Sequence, residues 1–288
     1  MSRNWFEAGA EGYSRFRPSY PPALASHLAE ATRRSVAAAG TSSAGSAGAA
    51  SAGSAGAASA GSAGAGECSA GSADTRGLCA LDVGCGTGQL TVALAAHLPR
   101  VIGADPSADQ LSRAAAHPRI DYVQAPAERL PAPDASVHLV TAAQAAHWFD
   151  LPAFYAEVRR IAAPGALLAL ITYGVIETDP DIAARVDRFY SAEIGRFWPP
   201  ERHHVDAGYR TLDFPFAEVP LPPLAITGEL TCAELLGYVS TWSAVRAAHE
   251  AGREALLRDF AADLRALWGD PARTRTVRWP ISGRLGTV

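Results

Sequence analysis

The stretch LDVGCGTGQ, residues 81–89, carries three glycines at alternate positions: Gly84, Gly86 and Gly88. A turn so poor in side chains lets a ligand come close to bare backbone. The fingerprint of dinucleotide enzymes places its third glycine three residues after the second, and here Gln89 occupies that position. Asp82 stands just ahead of the turn, where its carboxylate faces the ligand; a pyrophosphate there is repelled, and a cofactor carrying an ammonium and a sulfonium is attracted. At an effective dielectric of about 20, that choice of sign is worth about 4 kcal/mol for charges ~4 Å apart. S-adenosylmethionine has those charges and no phosphate.

Asp105 closes the next apolar run, seventeen residues beyond Gly88, where a carboxylate can accept hydrogen bonds from both hydroxyls of a ribose. The same DPSAD segment also reads as a helix cap. Pro106 fits the flat face of an adenine and, equally, the start of a helix. In APAERLP the backbone amides of Ala127 and Glu128 can read the adenine edge, and Glu128 reads as well as a surface charge.

These residues need elements to hold them. From Leu78, short apolar runs alternate with helix-like segments: CALDVG, RVIGAD, IDYVQA, SVHLVTAA and GALLALIT as strands, with QLTVALAAHL, SADQLSRAAA and PAFYAEVRRIA as helices. Strands apolar on both faces predict an α/β fold, a Rossmann-like doubly wound, mostly parallel sheet covered by helices, whose ligands sit at the carboxyl ends of the strands. After Thr172 the rhythm is lost; helical spacing dominates until TRTVRWPISGRLG, a terminal strand. The expected division is residues 1–35 as N-terminal lid helices and 36–77 as a linker. Residues 78–175 then form the cofactor-binding core, and 176–288 the substrate-cap helices with the last strands completing the sheet.

The linker expectation rests on composition. Residues 43–66 hold eleven alanines in three near-identical octads of Ser, Ala and Gly, with no large side chain to bury, so the tract is expected to be disordered. The net charge of −4 and the absence of Lys/Arg runs argue against a nucleic-acid partner. Four cysteines without a CxxC pair signal neither a disulfide framework nor a structural metal. The longest apolar run, GALLALI, is too short to span a bilayer, and no signal-like segment opens the chain, so a cytoplasmic monomer or homodimer with no membrane partner is expected.

LDVGCGTGQL, VIGADPSADQL, APAERLP, LVTAAQAAHWFD and RRIAAPGALLAL, in this order, resemble the successive motifs of class I S-adenosylmethionine-dependent methyltransferases. YSRFRPSYP, AQAAHWFD and YVSTWSA further resemble the branch related to trans-aconitate methyltransferase, which esterifies small carboxylic acids. The resemblance spans nearly the whole chain except the Ser/Ala/Gly tract. It implies a seven-stranded sheet with a helical lid, S-adenosyl-L-methionine as cofactor and a small-molecule acceptor. It also implies that Gly84, Gly86 and Gly88 lie under the methionine end, with Asp82 near the amino group and Asp105 on the ribose. Gln144, as a positioning residue, then faces the transferable methyl with His147 and Trp148. Ala125 and Pro126 stand where many relatives place an acidic residue for the adenine amine.

Methyl transfer from a sulfonium is an in-line displacement, so the protein must chiefly align two reactants and exclude water. A carboxylate acceptor needs no base, because opposite charges annihilate in the transition state. An amine, phenol or carbon acceptor needs a proton removed, with His147 the candidate base; otherwise HWF simply anchors a strand end. Arg17, Arg202 and Arg246 are candidate grips for a carboxylate, each reading also as a surface arginine. Tyr13, Tyr20 and Trp242 line the acceptor pocket or belong to the core. His203 and His204 lack a third ligand, so no metal is expected. The rival functions are an NAD-type oxidoreductase, disfavoured by Asp82 and Gln89, and a non-catalytic cofactor-binding scaffold.

Overall fold

The computed structural model of the chain describes residues 16–44 and 77–288. Tyr13 lies outside the described residues, as do residues 45–76, which take in nearly all of the repeat at 43–66 and so the expectation of disorder there. One mixed sheet organises the rest. Its strands are β1 (Cys79–Val83), β2 (Arg100–Asp105), β3 (Ile120–Gln124), β4 (Val137–Ala143), β5 (Ala162–Tyr173), β6 (Ala217–Glu218), β7 (Leu224–Leu230) and β8 (Arg275–Thr287). They lie in the order β3-β2-β1-β4-β5-β8-β6. The first five are mutually parallel, and β8 runs antiparallel to β5.

Seven strands are expected, and seven are longer than two residues; the eighth is the dipeptide β6. β8 is long enough to serve several partners. Its first half, residues 275–281, pairs with β7, and its second half pairs with β5 and then β6.

Every residue of β1 is buried, as is β5 from Ala166 to Tyr173, which is why these runs are apolar without alternation. One face is covered by α1 (Pro22–Ala44), α2 (Gln89–Ala95) and the C-terminal helices α7 (Cys232–Ser240), α8 (Ser243–Glu250) and α9 (Glu254–Trp268). The other face holds α4 (Leu151–Ile161) and the segment carrying Val205, Tyr209 and Phe214. Short α3 (Ala108–Ser112) follows β2, α5 (Pro180–Arg188) packs Ile182 and Val186 into the same core as α9, and α6 (Arg202–Asp206) carries Val205.

The character of α4 is written in its residues. The Asp150 carboxylate accepts from the Ala153 amide at 3.3 Å to cap its start, and Arg159 and Arg160 fall in its last turn. Phe154, Tyr155, Val158 and Ile161 are buried, each worth about 1.5–3 kcal/mol relative to exposure. Arg160 then reaches the Ala132 and Leu130 carbonyls at 2.9 and 3.1 Å, which pins the loop after β3 beside the site.

Two expectations about the N-terminus need correction. Residues 36–44, assigned to the linker, continue α1 as helix to Ala44. Alanine is the best helix former, and the extension has something to pack on: at Gly165 of β5 a Cβ would lie 2.7 Å from the Ser35 carbonyl and 3.0 Å from the Ala39 Cβ. Nor is α1 a lid. Leu24, Ala25, Leu28 and Ala29 have no exposed surface and form one layer of the core, leaving the preceding Phe16–Tyr20 stretch to approach the ligand end of the sheet. Among the described residues no helix is long and apolar enough to cross a membrane.

Candidate active site

The turn after β1 is held on its neighbour strand, with the Gly84 and Cys85 amides donating to the Ala104 carbonyl at 2.8 and 3.0 Å. All three glycines have left-handed backbone, with φ of 66°, 58° and 87°, which side chains resist. Their surroundings differ. A Cβ on Gly84 would sit 2.6 Å from the Ala145 Cβ, whereas one on Gly86 would meet nothing closer than the Gln110 Oε1 at 4.0 Å. Gly86 therefore presents bare backbone to a cavity of about 330 Å³ at the carboxyl ends of the strands. Gly88, expected beneath the cofactor, is absent from the wall of that cavity. It sits at the start of α2 with its Cα against the Tyr122 ring, so close helix packing explains the glycine there.

Two carboxylates form the floor of the cavity. Asp82 is 1% exposed, and its oxygens accept from the Thr141 hydroxyl of β4 and the Thr91 hydroxyl of α2, both at 2.7 Å. Burial pushes its pKa up to about 6 against the opposing pull of those two hydroxyls. Asp105 accepts from the Gly86 and Ser107 amides, both at 2.8 Å, and burial raises its pKa as well. The cap of α3 is Ser107, whose hydroxyl accepts from the Gln110 amide, so Asp105 stays turned to the cavity with a free lone pair on each oxygen.

Pro106, Ala127 and Glu128 line the same cavity. The Glu128 carboxylate is occupied elsewhere, accepting from the Asp150 amide at 3.1 Å ahead of α4. The buried Gln110 Oε1 has no hydrogen-bond partner among the described residues, although it lies at the wall beside Gly86. A buried acceptor of this kind is costly unless a ligand donor meets it. The turn, the two acids and this orphaned oxygen fit a cationic nucleoside cofactor.

At the end of β4 the chain bends sharply. Gln144 holds φ of 55°, a strained value for a residue with a long side chain, at a cost of about 1–2 kcal/mol. Three bonds impose it: its amide donates to the Ile171 carbonyl at 2.8 Å, its Nε2 to the Tyr173 carbonyl at 2.8 Å, and its Oε1 accepts from the Thr172 hydroxyl at 3.1 Å. The bend presses Ala145 onto Gly84 and brings Trp148 and Phe149 to the cavity wall. Tyr20 lines the wall too, edge-on to the Tyr173 ring at 6.1 Å.

Arg17, Gln144 and Trp148 also line a second, smaller cavity of about 60 Å³, together with His147, Trp198, Arg202, Trp242 and Arg246. Three guanidinium groups border it, and no Asp or Glu among the described residues does. Arg17 donates to the Tyr173 hydroxyl and the Thr241 carbonyl, both at 3.3 Å. Arg202 is fixed at its Nε, which donates to the Tyr190 hydroxyl at 2.7 Å and to Asp206 at 3.1 Å, and its guanidinium lies 4.7 Å over the Trp198 ring. Tyr190 in turn donates to Asp206 at 2.6 Å. It sits in the π-helical turn Phe189–Glu193 after α5, a widening common at functional sites. The terminal nitrogens of Arg202 make no hydrogen bond among the described residues. Trp242 is a core residue, 4% exposed and packed edge-on to Tyr190, that also reaches the wall of this cavity.

His147 hydrogen-bonds through Nδ1 with the buried Tyr209 hydroxyl at 2.9 Å. Burial first, then the charges of Arg202, His204 and Arg17, push its pKa down to about 3, so the ring is neutral at physiological pH. His203 and His204 spend their Nδ1 atoms on the Pro200 carbonyl and the Thr211 hydroxyl. Tyr173, Trp198, Gln110 and Phe149 were not picked out from the sequence. Tyr173 carries a usable signal, since it ends a parallel strand at the ligand side; the others depend on tertiary convergence.

The methyltransferase domain family matches residues 81–170. A protein of Dictyostelium discoideum described as a methyltransferase is 34% identical over 188 residues, covering 64% of this chain and 72% of its own length. An uncharacterized methyltransferase of Mycobacterium tuberculosis is 34% identical over 164 residues, covering 57% of this chain and 63% of its own. Among solved structures, one described as a type II methyltransferase from Anaeromyxobacter dehalogenans is 42% identical with a TM-score of 0.75, covering 94% of this chain and 98% of that one.

Proposed function

This chain belongs to the class I S-adenosylmethionine-dependent methyltransferases, and we propose that as one of them it methylates the carboxylate of a small organic acid. The observation that carries this reading is the second cavity, bordered by Arg17, Arg202 and Arg246 with no acidic side chain. Three guanidinium groups on one wall, with no Asp or Glu among the described residues lining it, favour an anionic guest, and a guanidinium grips a carboxylate in two places. The resemblance to the trans-aconitate methyltransferase branch, in YSRFRPSYP, AQAAHWFD and YVSTWSA, points the same way.

S-adenosylmethionine, when bound, supplies the activated methyl carbon. In this reading Gly84 and Gly86 offer backbone to its methionine end and Asp82 faces its ammonium. Asp105 takes the ribose hydroxyls with its remaining lone pairs, Pro106 lies beside the adenine, and the Ala127 and Glu128 amides meet the adenine edge. Gln144 holds the strand end between the two cavities in shape, and Trp148 walls both. Arg202 anchors the acid, with Arg17 and Arg246 supplying further positive potential. Alignment of this kind supplies roughly 7–11 kcal/mol when the bound geometry is near-attack. No proton has to leave a carboxylate, which agrees with a His147 ring too weakly basic to act as a base. For the same reason an amine or phenol acceptor is disfavoured.

A screen of small mono- and dicarboxylic acids, amines and phenols with radiolabelled methyl donor tests the reading. Base-labile methyl esters are expected; label appearing only in amines or phenols would refute it.

A further inference from the structure

On the far side of α8 from the acceptor cavity lies a third hollow of about 340 Å³, as large as the cofactor cavity and unconnected with the chemistry above. Its floor is apolar and buried: Phe189 and Ile194 at 0%, Val245 at 6%, Ala248 at 4% and Ala261 at 9% exposure. Phe189 is held in place by stacking on Phe260 at 4.2 Å. The rim is basic, with His249, Arg253, Arg258 and Arg265 set against the single carboxylate Glu254. His249 stands 3.9 Å from Glu254, and Arg258 pairs at 3.5 Å with Asp259. Arg253 and Arg265, both exposed, have no ion pair among the described residues.

The two layers select one kind of guest. A bare inorganic anion gains nothing from an apolar floor and loses hydration on reaching it. A neutral hydrocarbon leaves the guanidinium groups unused, and a cationic amphiphile is repelled by them. We propose that this hollow binds an amphiphilic monocarboxylate, a medium-chain fatty acid, with its alkyl tail on the partly exposed Leu256 and Leu257 and on Ala261, its carboxylate at Arg265, and Arg253 adding positive potential at the other end of the rim. The site is distinct from the acceptor cavity, although α8 contributes to both: Ser243 and Arg246 face the acceptor side, Val245, Ala248 and His249 this side.

The test is calorimetric titration of decanoate into the full chain saturated with S-adenosylhomocysteine, beside arms with acetate and decyltrimethylammonium. One equivalent of decanoate is expected to bind and the other two compounds not to bind. The double variant Arg253→Glu/Arg265→Glu weakens decanoate at least tenfold, as does Ala261→Leu, which narrows the floor without changing charge. Arg202→Met, which alters only the acceptor cavity, leaves decanoate binding unchanged. Absence of decanoate binding, indifference to both rim and floor variants, loss in Arg202→Met, or equal binding of the cationic amphiphile would each overturn the proposal.

Discussion

The larger cavity, proposed for the cofactor, and the smaller one, proposed for the acceptor, share Arg17, Gln144 and Trp148 but are built by opposite means. The first is a backbone site. Its glycine turn is bonded to the Ala104 carbonyl, and its floor is the pair Asp82 and Asp105, tied to the Thr141 and Thr91 hydroxyls and to the Gly86 and Ser107 amides. The second is a side-chain site of aromatic rings and guanidinium groups on helices and turns outside the sheet's centre. Acid lies under one and base around the other. In the proposed reading the rigid core holds what every catalytic cycle needs, while the second cavity carries the groups that select the acceptor.

Exchanging the chemistry of either half should break this division in a recognisable way. The largest effect is expected from Arg202→Met. Loss of a charged grip costs about 1.5–3 kcal/mol, so kcat/KM for the acid acceptor should fall about 100-fold while the cofactor Kd stays within about twofold. Equal losses in both constants would merge the two sites.

Next comes the pair Gly84→Ala and Gly86→Ala. The first forces a methyl against Ala145 at a left-handed position and should destabilise the fold by about 2 kcal/mol, lowering Tm by about 4–8 °C. The second carries the same left-handed strain without the clash, so Tm should fall by less than for Gly84→Ala, and the added methyl at the cavity wall should weaken cofactor affinity. Thermal melts with and without S-adenosylhomocysteine separate them.

Tyr190→Phe removes the hydroxyl that fixes the Arg202 Nε but keeps the ring under the guanidinium. About a tenfold rise in acceptor KM is expected, with kcat nearly unchanged, from the loss of one charged hydrogen bond of about 1.5 kcal/mol. The smallest expected effect is none at all: with a His147 pKa near 3, kcat at saturating cofactor should be flat between pH 6.5 and 8.5. An inflection removed by His147→Gln would restore the general-base mechanism.

The same contrast explains what the sequence made legible. Gly84, Gly86, Asp82 and Asp105 fall within 24 consecutive residues, and a turn that needs φ > 0 leaves a mark in residue types. Gly88 belongs to the same pattern but for a packing reason that only the Tyr122 ring discloses. Arg17, Arg202 and Arg246 were visible as isolated charges. What makes Arg202 special is Tyr190, Asp206 and Trp198, which converge through a π-helical turn that no local periodicity announces. The end of α1 was misplaced because alanine suits both a low-complexity tract and a helix, and contact with Gly165 decides between them.

The central claim is that a buried negative charge at Asp82 draws the cationic cofactor, and its direct test is S-adenosylmethionine affinity measured by calorimetry from pH 5 to 8. Because burial raises the Asp82 pKa to about 6, the side chain gains its charge as pH rises through that value. Binding to the native chain should therefore tighten over that interval, and Asp82→Asn should bind about tenfold more weakly at pH 8 with no such dependence. A variant that binds as tightly as the native chain, or tighter, would contradict the account.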